Sequence, residues 1–535
     1  LDKTYEQTLL GIDKQKRKYA QRLFQCRSVS IRPLRVEELA EIFAVQPDVT
    51  KPPSFNEKLR PLDAEEAVLS ACSSLVSVVN GEGGQIVQFS HFSVKEFFTS
   101  ERLATAGERL SYYHILPERA HTILAHTSLS VLLRLDDKID RNTMIRHFPL
   151  APYAARHWVD HAKFKDVSSH IQEVMERLFG PAKPQFSAWV WLYDIDHDWI
   201  KPMSTIHPMR PEAVPLYYAS LCGFHGLVER LIVAHSQDVN SKGGSHTTPL
   251  HAASVKGHAD VVSLLLRNGA NPNSLDDRGR APLHRVSHGG QLIVVQSSLE
   301  IARLLVNSGA DVSVTDNGGW TPLHVAAKRG YRDVVQLLLG SGASLDVRNE
   351  KQETPLYLAC EYGKFDVARF LIDRGSDINS REIHGFIPLH SASQFGHLDI
   401  VRLLLDCGSD VNVGDNQSST ALHFGSQHGR LDVARHLIDR GADVNAPDVY
   451  HWTPIHCASR DGQLDSVKLL IDHGANIDSQ TIKQETPLAL SVKYLQIARF
   501  LIDSGAAVSP RDVAGWTPFH TASFNGYLDV AKFLL

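Results

Sequence analysis

The chain has 535 residues, 43% of them hydrophobic and 21% charged, the balance of a folded protein long enough for several domains. Its formal net charge of −5 argues against a dedicated nucleic-acid or anionic-membrane protein, and no apolar run reaches the roughly 18–20 residues that span a bilayer. No segment resembles a signal peptide, and the cysteines Cys26, Cys72, Cys222, Cys360, Cys407 and Cys457 form no Cys-x-x-Cys pair. Reduced thiols in a cytoplasmic protein are expected, with a nuclear location left open.

Residues 1–110 read as helices followed by a small β-hairpin. Lys14 to Phe24 is helical in period, and a short helix covers Val36 to Phe43 after Pro33. Another covers Ala64 to Ala71. Leu75–Val79 and Gln85–Ser90 are β runs joined by the glycine-rich turn Asn80-Gly81-Glu82-Gly83-Gly84. Ser93 then reads as the N-cap of a helix, with Glu96 completing a capping box. This order predicts a winged-helix arrangement. Lys14, Lys16, Arg17, Lys18 and Arg22 suggest a basic face, either solvated or a DNA contact. Residues 111–211 read as a helical connector. Within it, Asp194-x-Asp196-x-Asp198 mimics the start of a calcium loop, but Trp199 and Thr205 stand where Gly and Glu are required. It reads as a helix end and linker.

From residue 212 to 535 one pattern returns near every 33 residues: Thr-Pro-Leu-His-x-Ala-Ala, a Gly, Asp-Val, and an apolar run closed by Gly-Ala-Asp. Its Pro or equivalent stands at 249, 282, 322, 355, 388, 421, 454, 487 and 518, with a weaker copy at Pro215. A fixed period of this length predicts a stack of about ten small units. Thr321 suits an N-cap and Pro322 the first helical position. Gly330 ends the first helix, and Val334, Val335, Leu337, Leu338 and Leu339 make the second apolar. The 40-residue step after Pro282 predicts a bulge at Gln291–Ser298 between the helices. The 31-residue step after Pro487 predicts a shortened inter-helix turn at Leu490–Tyr494. This unit resembles the ankyrin repeat. The fold class expected is mainly α: an ankyrin-repeat solenoid preceded by a winged-helix domain and a helical connector. Residues 527–535 stop inside a predicted helix and residue 1 is Leu, so the chain is read as part of a longer protein.

Ile31-Arg32-Pro33-Leu34-Arg35-Val36-Glu37-Glu38-Leu39-Ala40 and Phe89-Ser90-His91-Phe92-Ser93-Val94-Lys95-Glu96-Phe97 carry a second resemblance. They are similar to the winged-helix segment of fungal NACHT–ankyrin proteins, STAND-type and NLR-like NTPases. Ala151-Pro152-Tyr153-Ala154-Ala155-Arg156-His157-Trp158 and Trp189-Val190-Trp191-Leu192-Tyr193-Asp194 resemble the helical region before their repeats. The resemblance implies intracellular recognition and oligomerisation through an upstream NTPase domain. The chain itself has no Gly-x4-Gly-Lys-Ser/Thr, His-Glu-x-x-His or Gly-x-Ser-x-Gly. No enzymatic activity and no cofactor are expected of it.

In ankyrin-like stacks the turn tips and the exposed end of the first helix contact partners. Carried over, these positions are Asn317, Trp320, Lys328, Arg329, Tyr362, Phe386, Phe395, Tyr450, Trp452, Arg460, Trp516 and Phe524. Aromatic residues and Arg dominate binding energy at protein interfaces, so a protein ligand is the expected partner. Trp320, Phe386, Trp452 and Trp516 precede the repeat Pro in alternate copies. Each either packs on the neighbouring turn or meets the partner. His251, His284, His324, His390, His423, His456 and His520 share one repeat position. One repeat apart is too far to share a metal, so each is read as a hydrogen bond tying its turn to the next. Two accounts stay open: the sensor arm of a STAND-type signalling protein, and a freestanding ankyrin adaptor. A winged-helix DNA-binding regulator is a third.

Overall fold

A computed structural model describes residues 2–48, 51–61, 63–72, 74–81, 84–136, 138–180, 183–196, 211, 213–288 and 295–535. Glu82, Gly83, Asp198, Trp199, Thr205 and residues 291–294, all used in the readings above, lie outside them. The chain forms two compact units, Leu1–Asn271 and Pro272–Leu535.

The first unit begins with helices and a small sheet. The helix Arg17–Val29 starts later than predicted, because Asp13 accepts from the Gln15 N–H at 2.8 Å and residues 14–16 form a turn. Ala20, Leu23 and Phe24 recur at helical spacing and are fully buried. Arg22 is buried as well, its guanidinium 3.5 Å from Thr127 Oγ1. It is therefore absent from the predicted basic face. Next come β1 (Leu34–Arg35), the helix Val36–Ala44, the antiparallel pair β2 (Val45–Asp48) and β3 (Lys51–Phe55), and the helix Ala64–Cys72. They are followed by β4 (Val76–Gly81) and β5 (Gly84–Phe89). β5 lies between β1 and β4 and is antiparallel to both, with Val87 opposite Leu34 on one side and Val78 on the other. The following helix is Phe92–Phe98, capped by His91 and not by Ser93. The imidazole of His91 accepts from the Ser93 N–H at 3.3 Å. His91 has the extended backbone an N-cap needs (φ −150°, ψ 148°), whereas Ser93 already lies inside the helix.

Buried polar contacts join this part to the helices after residue 111. Glu41 accepts from the Leu150 N–H at 2.7 Å, and the Ile31 N–H donates to Tyr153 Oη at 3.3 Å. Among the helices Pro117–Leu132, Ala151–Ala162 and Pro184–Leu192, Trp158 and Trp189 meet edge to face at 5.4 Å. Trp189 Nε1 also donates to Ala155 O at 3.0 Å. Asp196 is not a calcium ligand in waiting: it is buried, accepting from Tyr217 Oη (2.8 Å), Ser245 N (2.6 Å) and Ser245 Oγ (2.6 Å). The unit closes with the helix pairs Pro215–Cys222 with His225–Val233 and Pro249–Lys256 with Ala259–Arg267.

The second unit is built of repeated helix pairs, of which Pro322–Arg329 with Arg332–Gly340 is representative. Thr321 Oγ1 caps the first helix by accepting from the His324 N–H at 3.4 Å, and Gly330 ends it in the left-handed region at φ +82°. Leu323, Ala326, Ala327, Val334, Val335 and Leu338 are buried. The small alanines let the helices approach closely. Two length variants differ from expectation. Residues 295–298 are helical: the second helix of that copy, Val295–Asn307, is 13 residues long where its counterpart Arg332–Gly340 has 9. A helix absorbs the described part of the insertion, because its apolar period continues through Leu299, Ile301, Ala302 and Leu305. The deletion falls in the first helix, Pro487–Leu490, which has 4 residues where its counterpart Pro322–Arg329 has 8. Residues 491–493 form the turn that follows.

Candidate protein-binding surface

The candidate surface in the second unit is built on projecting tips, and one acceptor five residues before each helix cap organises every tip. Asp316 Oδ1 accepts from Gly318 N and Trp320 N, both at 2.9 Å. Glu382 does the same for His384 N (2.7 Å) and Phe386 N (3.0 Å), Asp415 for Gln417 N (2.8 Å) and Ser419 N (2.9 Å). Asp448 does so for Tyr450 N (2.8 Å) and Trp452 N (2.7 Å), and Asn349 Oδ1 serves Lys351 N and Glu353 N. Consecutive tips are then tied by main-chain bonds: Glu350 N–H to Gly318 O, Ile383 N–H to Lys351 O, Asn416 N–H to His384 O, and Val449 N–H to Gln417 O, at 2.9–3.1 Å. The backbone ladder leaves the tip side chains free to vary.

The phased histidines support the same ladder. His324 Nδ1 accepts from the Thr321 N–H at 3.0 Å, so Nε2 carries the proton and donates to Val347 O (3.0 Å) and Glu353 O (3.1 Å). His390 Nε2 reaches Val413 O (2.8 Å), His423 reaches Trp452 O (3.1 Å), and His456 reaches Ser479 O (3.0 Å). Burial holds His324, His390 and His456 well below the usual imidazole range, at about 4, against the opposing pull of their carbonyl partners. They are neutral tethers between neighbouring turns. Among the described residues no group of three or more His, Cys, Asp or Glu is placed to hold a metal ion.

The candidate residues fall into separate clusters. Lys328 Nζ lies 5.0 Å from the Trp320 ring centre and 4.4 Å from that of Tyr362, bridging two repeats by cation–π contact. Arg329 donates to His288 Nε2 at 2.5 Å. Asn317 serves the ladder itself, its N–H on Arg278 O at 3.0 Å and its Nδ2 on Asp277 O at 3.4 Å. Phe386, Tyr450, Trp452 and Arg460 come together around a concavity of about 540 Å³ that spans three repeats. Trp452 is half-buried under the Arg460 guanidinium, 4.9 Å from its ring centre, and Asp461 holds that guanidinium with two bonds of 2.9 and 3.0 Å. Tyr450 is 48% exposed at the rim. Phe395 stacks beside His397 at 6.3 Å and does not line the concavity. Trp516 and Phe524 pair at 5.1 Å further along the stack, with Phe524 76% exposed.

Among the lining residues that the sequence reading did not single out are Phe424, Asp415 and Asp448. Phe424 packs 4.7 Å from Phe386. It occupies the variable position after the repeat histidine, which holds Val325, Ser391 and Cys457 in other copies, and Gly425 follows it in place of Ala. That bulky-then-small pair was the available signal. For the aspartates it was their constant five-residue lead on the helix cap.

The sequence matches the family model for ankyrin repeats in overlapping segments, 216–297, 291–382, 342–415, 389–481 and 455–535, which together cover more than half of the chain. The chain belongs to the ankyrin-repeat family. It is similar to azaphilone pigments biosynthesis cluster protein L of Monascus ruber, at 30% identity over 286 residues, 51% of this chain and 59% of that protein. It is also similar to alpha-latrocrustotoxin-Lt1a of Latrodectus tredecimguttatus, at 38% over 69 residues, 13% of this chain and 5% of the toxin. A third relative is human protein phosphatase 1 regulatory subunit 27, at 44% over 41 residues, 8% of this chain and 27% of the subunit. The chain thus spans 59% or less of the length of each. Among the described residues no helix is long and apolar enough to cross a membrane.

Proposed function

We propose that this chain is a protein-interaction scaffold whose ligand docks on the tips and first helices of residues 317–525, centred on the concavity at Phe386, Tyr450 and Trp452. The observation that carries this reading is that side chains from three successive repeats converge there, on tips tied to one another by main-chain bonds. Rigid aromatic groups in a partly desolvated hollow are the usual anchors of a protein interface. The relative named as a phosphatase regulatory subunit is, by its name, a protein that acts on another protein. The test is the triple variant Phe386→Ala/Tyr450→Ala/Trp452→Ala. Proteins that co-purify with the full chain from its own cell extract, identified by mass spectrometry, should be lost while the circular dichroism spectrum is kept. Unchanged recovery would assign these rings to packing.

Within that scaffold we favour the sensor arm of a NACHT–ankyrin protein, made of a winged helix over 1–110, a connector over 111–211 and repeats from 212. Its support is the three-stranded sheet with β5 central between β1 and β4, in the order helix, strand, helix, helix, strand, strand once the separate β2–β3 hairpin between the second and third of these helices is set aside. The same order does not favour DNA. The helix that would enter the groove, Ala64–Cys72, carries Glu65 and Glu66 and no basic residue, which opposes phosphate contact. Reading the gene upstream of the Leu1 codon tests the sensor account. A Gly-x4-Gly-Lys-Ser/Thr in frame supports it, and an initiator Met close by without one leaves the adaptor.

A further inference from the structure

Where a carboxylate organises the tip it has two oxygens, and the repeats treat the second one differently. At Asp276 the first oxygen accepts from Arg278 N and Arg280 N, both at 2.9 Å. The second oxygen, Oδ2, is taken by two guanidinium groups of the same repeat, Arg285 at 2.6 Å and Arg280 at 3.1 Å. The first-oxygen pattern repeats at Asp415 and Asp448. Their surroundings differ. The position of Arg280 is held by Ser419 and Trp452, and that of Arg285 by Phe424 and Cys457. Among the described residues no cation pairs with either carboxylate, and both line the one concavity. Arg460, the guanidinium beside it, is already neutralised by Asp461.

The rest of the lining is aromatic. Phe386 and Phe424 lie against each other at 4.7 Å on one side, and Trp452 and Tyr450 stand on the other tip. Flat π faces beside two unpaired carboxylates suit a planar, delocalised cation, which stacks on rings and donates in a fork. A compact ammonium gains less from such a site.

We propose that the concavity receives an arginine side chain of the protein partner, in the role that Arg285 plays within its own repeat. This rests on the scaffold reading above and adds the chemical class of its central anchor. The partner presents the arginine on an exposed segment, its guanidinium donating to Asp415 and Asp448 and stacking among Phe386, Phe424 and Trp452.

The test uses the full chain and two small probes, acetyl-arginine amide and its neutral isostere acetyl-citrulline amide. Binding is read on the Trp452 indole N–H signal, assigned with Trp452→Phe. The arginine probe should bind saturably and the citrulline probe at least about ten-fold more weakly, since only the former carries the charge. Asp415→Asn with Asp448→Asn should weaken the arginine probe by about ten-fold or more. The tips survive this change, because Asn349 Oδ1 already does the same work for Lys351 N and Glu353 N in another repeat. Phe424→Arg should abolish probe binding by supplying the cation from within, as Arg285 does for Asp276. Equal binding of both probes, or arginine binding indifferent to the two Asn changes, overturns the proposal. Panning a random twelve-residue peptide library on the full chain separates it from the scaffold reading. Selected peptides that depend on Phe386 and Trp452 yet carry no fixed arginine keep the scaffold and remove the arginine. Failure to select any peptide, with no response to the arginine probe, removes both.

Discussion

Glu38 and Glu41 are two buried carboxylates three residues apart with different partners. Glu38 is fully buried yet answered by Arg32 at 2.6 Å, Arg35 at 3.1 Å and the Arg35 N–H at 2.7 Å. Glu41 has the Leu150 N–H and Arg60, but burial outweighs both and pushes its carboxyl up to about 7. A folded-state value above the unfolded one means that the native protein binds the extra proton between them. By linkage, Glu41 therefore subtracts stability as pH rises from about 4.5 to about 7, and the loss is complete above that. Glu41→Gln should remove this dependence. In urea unfolding, the stability difference between variant and parent should shift in the variant's favour by up to about 3 kcal/mol between pH 5 and pH 7.5. A shift of the opposite sign would mean that the Arg60 pair, and not burial, governs this carboxyl. Both glutamates were legible as helix residues. The burial of Glu41 was not, because the groups that meet it come from residues 60 and 150.

At the scale of the element, each tip needs one residue with positive φ just before the aromatic or polar residue that precedes the helix cap. Glycine supplies it at Gly319 (φ +72°) and Gly385 (φ +83°), but Gln352 (φ +62°), Ser418 (φ +66°) and His451 (φ +59°) occupy the same position. The left-handed region costs an L-residue roughly 1–2 kcal/mol. Gln352→Gly should thus stabilise by ~0.5–1 kcal/mol after the added freedom of the unfolded glycine is counted. Gly319→Ala should do worse than the reverse change. Its Cβ would sit 2.9 Å from Glu350 N, whose N–H bonds to Gly318 O. A loss of about 2 kcal/mol is expected from strain plus a weakened tip bond, read as the urea midpoint of the second unit. Helix limits followed from caps and glycines in the regular copies and failed in the irregular ones. Neither the 40-residue nor the 31-residue step states which element absorbs the change, since packing against neighbouring helix pairs decides it.

At the scale of the whole molecule, repetition multiplies a weak acid sensitivity. His324, His390 and His456 are held at about 4, and His284 and His423 are also lowered, all chiefly by burial. A depressed folded-state value gives stability that is present above about 6.5, the unfolded value, and lost as pH falls toward 4. His324, His390 and His456 each add about 1.4 kcal/mol per pH unit to the slope across that window. Unfolding of the full chain at pH 5.5 should take up several protons, measured in weakly buffered solution by pH-stat titration during urea unfolding. His390→Gln should reduce the uptake by close to one proton. Uptake independent of that residue would mean that His390 titrates alike in both states.

The period of Thr-Pro-Leu-His, the glycines that close each helix and the alanines between them are local requirements, so the sequence alone determined a stack of helix pairs and the tethering role of its histidines. The same locality revealed the small strands around the glycine-rich turn. What the tertiary structure alone decided is which side chains meet. Twelve candidate residues chosen by repeat position divide among a cation–π bridge, a ladder tie, a guanidinium–imidazole contact, a concavity and isolated ring contacts. Phe424, Asp415 and Asp448 joined the concavity unannounced. Repeat position specifies where a side chain leaves the backbone. Whether its charge is already answered depends on the neighbour across the tip, as Arg285 answers Asp276 while Phe424 leaves Asp415 open.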